Sequence, residues 1–129
     1  MKVVDGYPPN YKDIVAALHP TKDTVFTWGD TVYAPGHDYI DNALDVHESV
    51  HKVQQGLDPK CWWDSYLVDA YFRLDQELEA YQAQYKFFCK VNKFKKERAK
   101  FLTSIATDLA GPMYGEVISI ERAKAEIRP

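Results

Sequence analysis

Cysteine is scarce in this chain, and long apolar runs are missing. Only Cys61 and Cys89 occur among 129 residues. They form no Cys-x-x-Cys pair, so no disulfide framework is implied, and both are expected as reduced thiols. No stretch approaches the roughly 20 apolar residues of a membrane-spanning helix. The segment from Met1 to Pro9 lacks the apolar stretch of a secretory signal. A cytoplasmic protein without a membrane partner is therefore expected. Neither sign of charge dominates: 16 Lys and Arg stand against 19 Asp and Glu, a net charge of -3. That balance makes no overall electrostatic case for a nucleic-acid partner. Internal repeats and low-complexity linkers are also lacking, so a single domain over residues 1–129 is expected.

Aromatic residues are plentiful, with three Trp, nine Tyr and six Phe. Each buries a large area, so a small domain can still build a core. Tyr11 to Leu18 reads as a short helix stopped at His19-Pro20. Thr24 to Trp28 and Thr31 to Tyr33, joined by Gly29-Asp30, read as a β-hairpin. From Asp38 to Gln55 the apolar spacing turns helical, and Gly56 is the stop. A short helix over Cys61 to Leu67 and a long one over Ala70 to Val91 follow. Another spans Lys93 to Leu109, with Phe94, Arg98, Phe101, Leu102, Ile105 and Leu109 on one side. Gly111-Pro112 breaks it, and a last helix covers Ser119 to Ile127. The expected fold is α+β, mostly helical, with a small hairpin or sheet packed on the Asp38 to Gln55 helix.

That helix carries His47-Glu48-Ser49-Val50-His51, a His-Glu-x-x-His pattern. Residues four apart share one helix face, so both imidazoles can reach one ion. Glu48 lies about 100° further round, beside an open coordination position and outside the ligand set. Zinc chemistry uses this division: neutral nitrogens hold the ion, a third group completes the hold, and a carboxylate takes a proton from the water that attacks. The alternative is a pair of half-buried histidines on a core-facing helix. Leu44 and Val50 make the same face apolar, and adjacent imidazoles there need partners.

A third ligand is expected from another element, and Asp75, Glu77 and Glu79 are the candidates. With Glu77 as the angular origin, Ala70, Leu74, Ala80, Tyr81, Gln84 and Phe88 fall within about 60° of it. Glu79 falls about 160° away, beside Asp75, Gln82, Lys86 and Lys90. Glu77 thus sits in the middle of a core-facing stripe, where a carboxylate needs a cation or donors. A metal ion meets that need, and so would an ion pair with Arg73 four residues earlier; Arg73 could also support the ligand from behind.

Together, His47 to Gln55 and Glu77-Leu78-Glu79-Ala80-Tyr81 resemble the gluzincin zinc metallopeptidases. There, His-Glu-x-x-His on one helix is joined by a Glu from a following helix. The likeness is greatest to the small single-domain versions, the minigluzincins, often encoded by phages and bacteria. In related families the ligand Glu lies three residues before an Ala, which maps to Glu77 before Ala80. The resemblance implies a zincin-like core and one zinc ion held by His47, His51 and Glu77. It implies hydrolysis of a peptide or protein substrate with Glu48 as general base, in a bacterial or phage-infected cell. The hairpin resembles the sheet whose edge strand pairs with an extended substrate. The expected edge is Thr31 to Ala34. The chain departs from the family in having no recognisable second domain to wall the cleft.

Tyr114, flanked by Gly111-Pro112 and Gly115, is a candidate catalytic electrophile for a developing oxyanion, or else a packing residue in a turn. Gln54 shares the face of the two histidines and is placed to satisfy backbone or ligand groups. Trp62 and Trp63 are expected in core or lid packing, His37 as a surface or capping residue, and His19 outside any ligand set. The basic stretch Lys93 to Lys100 reads as the wet side of an amphipathic helix, with an anionic partner as the alternative. Two rivals to a peptidase remain. One is a non-catalytic, zinc-stapled binding or assembly protein. The other is a regulatory or toxin-like effector with one narrow target. The oligomeric state is not indicated.

Overall fold

The computed structural model describes all residues, Met1–Pro129. Three short strands, β1 (Lys2–Val4), β2 (Phe26–Trp28) and β3 (Thr31–Tyr33), are accompanied by six helices. The helices are α1 (Tyr11–Leu18), α2 (Asn42–Gln55), α3 (Pro59–Val68), α4 (Ala70–Val91), α5 (Lys95–Leu109) and α6 (Ile120–Ile127). A 3₁₀ turn over Pro112–Tyr114 links the last two. The result is one α+β domain, predominantly helical, as expected from the sequence.

Local chemistry explains most boundaries. The α2 helix begins at Asn42, later than the apolar spacing alone suggests, because the Asp41 side chain accepts from Leu44 N at 2.8 Å and caps it. Gly56 ends it with a positive φ of 57°, which glycine adopts without steric cost. Asp69 caps α4 through Tyr71 N and Phe72 N. Ser119 caps α6 through Arg122 N. In the hairpin, Gly29 takes a φ of 62° at the first turn position, the left-handed backbone that tight two-residue turns demand. Phe94 departs from expectation. It is the N-cap of α5 and 76% exposed, so it lies outside the apolar face it was assigned to.

The sheet differs from a bare hairpin. β2 pairs antiparallel with β3, and β1 adds in parallel on the other side, giving the order β1-β3-β2. Thr31 to Ala34 is therefore not a free edge: β1 is paired along it, and Ala34 N donates to Val4 O at 2.8 Å. Three residues near the chain start are too short a run for periodicity to mark as a strand, so the pairing of β1 along this edge is set only by the tertiary fold. The remaining edge, on β2, is partly closed as well. Thr27 O accepts from Gln55 Nε2 at 2.7 Å and from Trp63 Nε1 at 2.9 Å.

Two apolar clusters hold the elements together. One joins Tyr81, Leu102, Ile105, Leu109, Tyr114 and Ile127 from α4, α5, the 3₁₀ turn and α6. The other joins Ile14, Leu18, Phe26, Trp62, Trp63 and Tyr66 from α1, β2 and α3. Between them α2 packs against α4 and β2. The fully buried residues of α2 are all polar: His47, Glu48, His51 and Gln55. The face expected to be largely apolar keeps Leu44 and Val50 only half-buried. Such a helix gains little from apolar burial, so its seat depends on the partners those polar groups find. Gln55 is one anchor, donating to Thr27 O while its Oε1 accepts from Gly29 N at 2.7 Å. Both cysteines are unpaired, and no helix is long and apolar enough to cross a membrane. The residues from Lys93 to Lys100 are exposed except for the half-buried Arg98.

Candidate metal centre

Four residues apart on α2, His47 and His51 turn their Nε2 atoms toward each other at 3.2 Å. Glu77 comes down from α4, its Oε1 lying 3.0 Å from His47 Nε2. His51 Nε2 is 3.2 Å from both of its carboxylate oxygens. All three residues are only 4% exposed, and they form a cluster able to hold a metal ion. Donors about 2.0–2.1 Å from a tetrahedral ion lie roughly 3.3 Å from one another. The observed separations are close to that spacing. Glu79, the rejected candidate, is exposed.

The charges fit a cation as well. Glu48 and Glu77 are both buried, and neither makes a salt bridge to Lys or Arg. Arg73 does not pair with Glu77. Its guanidinium donates to Tyr66 O and Leu67 O and lies over the Tyr66 ring, capping the end of α3. Burial alone would lower the pKa of His51, but the Glu77 carboxylate outweighs it and raises the imidazole to about 9. Burial pushes Glu77 up, yet the two histidines overcome it and hold the carboxyl far below its usual range. With no ion bound, a proton stands in for the missing charge. A divalent cation would replace it.

Each ligand is also gripped from behind. His47 Nδ1 meets Gln84 Oε1 at 2.9 Å, and His51 Nδ1 meets Gln54 Oε1 at 2.8 Å. Tyr66 donates its hydroxyl to Glu77 Oε2. The rings are wedged by aromatics: His47 lies edge-on to Tyr81 with centroids 4.5 Å apart, and His51 lies 5.3 Å from Trp62. Trp62 thus packs as expected and also walls the site. Gln54 was legible from the sequence. The roles of Gln84 and Tyr66 were not, although Gln84 falls on the Glu77 stripe, two turns along α4, and that placement was the available signal.

Glu48 stands beside the three ligands without joining them. Its Oε2 is 3.7 Å from His47 Nε2, and its Oε1 accepts from the Thr27 hydroxyl at 3.1 Å. Burial raises its pKa above the ordinary carboxylate value, against the pull of His47 and His51. No sequence motif marked Thr27; only the packing of β2 on α2 brings it there.

The cluster opens into a cleft of about 690 Å³. One wall is the Thr24 to Thr27 stretch, and the other carries Ile105, Asp108, Met113 and Tyr114. Tyr114 therefore shares the cleft with the cluster. Its hydroxyl lies 3.1 Å from that of Tyr81, and burial keeps both phenols protonated by raising their pKa values. His19 is exposed on the cleft wall and outside the cluster, and His37 is on the surface. In comparisons with known proteins, no family model matches the chain, and no match emerged among curated sequences or solved structures.

Proposed function

We propose that the protein is a zinc-dependent metallopeptidase with Glu48 as its general base. The reading rests on one observation: a buried carboxylate faces the His47-His51-Glu77 cluster from outside the ligand set. A site that merely staples a fold has no use for it. Two neutral imidazoles and one carboxylate form a donor set that zinc takes while leaving a fourth position open. When bound, the ion supplies Lewis acidity and draws the pKa of a water toward 7.

The chain's own groups do the remaining work. Thr27 holds Glu48 by one oxygen and leaves the other facing the cluster. From there Glu48 can accept a proton from a water and return it to a leaving amine. Tyr114 is a hydroxyl donor for the oxygen on which negative charge develops. An extended peptide would follow the Thr24 to Phe26 stretch, because β1 occupies the far side of β3 and Thr27 O is already bonded to Gln55 and Trp63. Two unpaired thiols agree with a reducing compartment such as a cytoplasm.

Glu48→Gln tests the assignment. Zinc content stays stoichiometric while cleavage of a quenched fluorescent peptide library drops about 10²–10⁴-fold. Activity that survives the change removes Glu48 from the mechanism. A wild type that binds zinc and cleaves no peptide would make the ion a structural staple.

A further inference from the structure

The three groups that grip the ligands from behind, Gln84, Gln54 and Tyr66, are all uncharged. Metal-bound histidines commonly donate to carboxylates, which raise the basicity of the ring and tighten the hold. We infer that Gln84 and Gln54 are positioning residues that fix both imidazoles as Nδ1–H tautomers without adding charge, and that this neutral shell holds zinc less tightly than carboxylates in its place would. The inference rests on the zinc-binding reading above.

The His51 tautomer follows from the orientation of the Gln54 amide. Gln54 Nε2 donates to Gln76 O and to Glu79 Oε1, both at 2.9 Å. Its Oε1 must then face His51, and Nδ1 must carry the hydrogen. A flipped amide would lose both bonds and set NH₂ against N–H. Gln84 reaches His47 by a different route, from two turns beyond Glu77 on the same face of α4. With Gln84 Oε1 accepting from His47 Nδ1 as Gln54 does from His51, both Nε2 lone pairs would be left to meet at the cluster.

Charge explains why amides stand there. Glu48 and Glu77 bring two negative charges into a pocket whose lining includes no Lys or Arg. A divalent ion neutralises them. A third buried carboxylate at position 84 would leave one charge uncompensated, which burial penalises. Amides keep the balance but give up the tightening that a carboxylate confers. Glu79 reaches His51 only through the Gln54 amide and from an exposed position.

Chelator competition on the purified full chain gives the zinc dissociation constant, and thermal unfolding of metal-free protein reports the fold. Gln84→Glu is expected to tighten zinc about tenfold or more and to lower the metal-free Tm. Gln84→Met, of similar length without an acceptor, is expected to loosen zinc about tenfold or more. A packing role would move both variants in the same direction. Gln54→Met, of similar length without an acceptor for His51, is expected to loosen zinc about tenfold even if position 84 does not tolerate a charge. Constants for Gln84→Glu, Gln84→Met and Gln54→Met within twofold of wild type overturn the inference, as does loosening by both Gln84 variants. A wild type that takes up no zinc overturns it together with the proposed function. Zinc binding without peptide cleavage removes only the peptidase reading, and the shifts at Gln84 and Gln54 still decide the inference.

Discussion

Stripping the metal and replacing Glu77 by glutamine isolates one buried ion pair. In metal-free protein burial lowers the His51 pKa, but Glu77 foremost, with Glu48 and Gln54, raises it from 6.5 to about 9. That rise corresponds to roughly 3 kcal/mol of folding free energy. His51 is only 4% exposed, so solvent screening takes little from it. Because the folded pKa lies above the unfolded one, the contribution is complete below about pH 6.5 and disappears as pH rises through 9. Metal-free wild type is therefore expected to lose about 10 °C in Tm between pH 6 and pH 9.5. Glu77→Gln is expected to start lower at pH 6 and to change much less over that range.

Zinc removes most of that slope. A histidine ligand must be neutral, so uptake at pH 7 displaces the His51 proton, and affinity climbs with pH toward 9. Differential scanning fluorimetry from pH 6 to 9.5, with and without zinc, reads both slopes. Calorimetry in buffers of different ionisation enthalpy counts the proton, expected at about one. Equal pH slopes for metal-free wild type and Glu77→Gln, or zinc uptake at pH 7 without proton release, would refute the reasoning.

Thr27→Val removes the hydroxyl that holds Glu48 and lowers its pKa; zinc content is expected to hold while the acidic limb of the pH–rate profile moves to higher pH. Tyr114→Phe is expected to reduce kcat about 10²-fold with metal affinity intact, and a change under twofold assigns the residue to packing. Gln55→Leu releases Gly29 N and one of two donors on Thr27 O. Urea unfolding is expected to show a loss of about 1–3 kcal/mol, and an unchanged midpoint would mean that the hairpin needs no such tie.

Most of the helices, the hairpin and three members of the cluster follow from local pattern. His47 and His51 meet because four residues make about one turn, and Glu77 rather than Glu79 is buried because it centres the core-facing stripe of α4. Such statements need only the 3.6-residue period and hydropathy, both properties of adjacent residues. Tertiary structure decided what periodicity does not encode. The β1 strand closes the expected edge at Thr31 to Ala34, since pairing depends on residues about thirty positions apart. Thr27, Tyr66 and Gln84 grip Glu48, Glu77 and His47 across separate elements. Arg73 turns to the end of α3, because the Tyr66 and Leu67 carbonyls there need donors. The two histidines were legible because one helix puts them in register, and Glu77 because it centres the buried stripe of its own helix; the groups that orient the ligands were not, because only packing brings those groups within hydrogen-bonding distance.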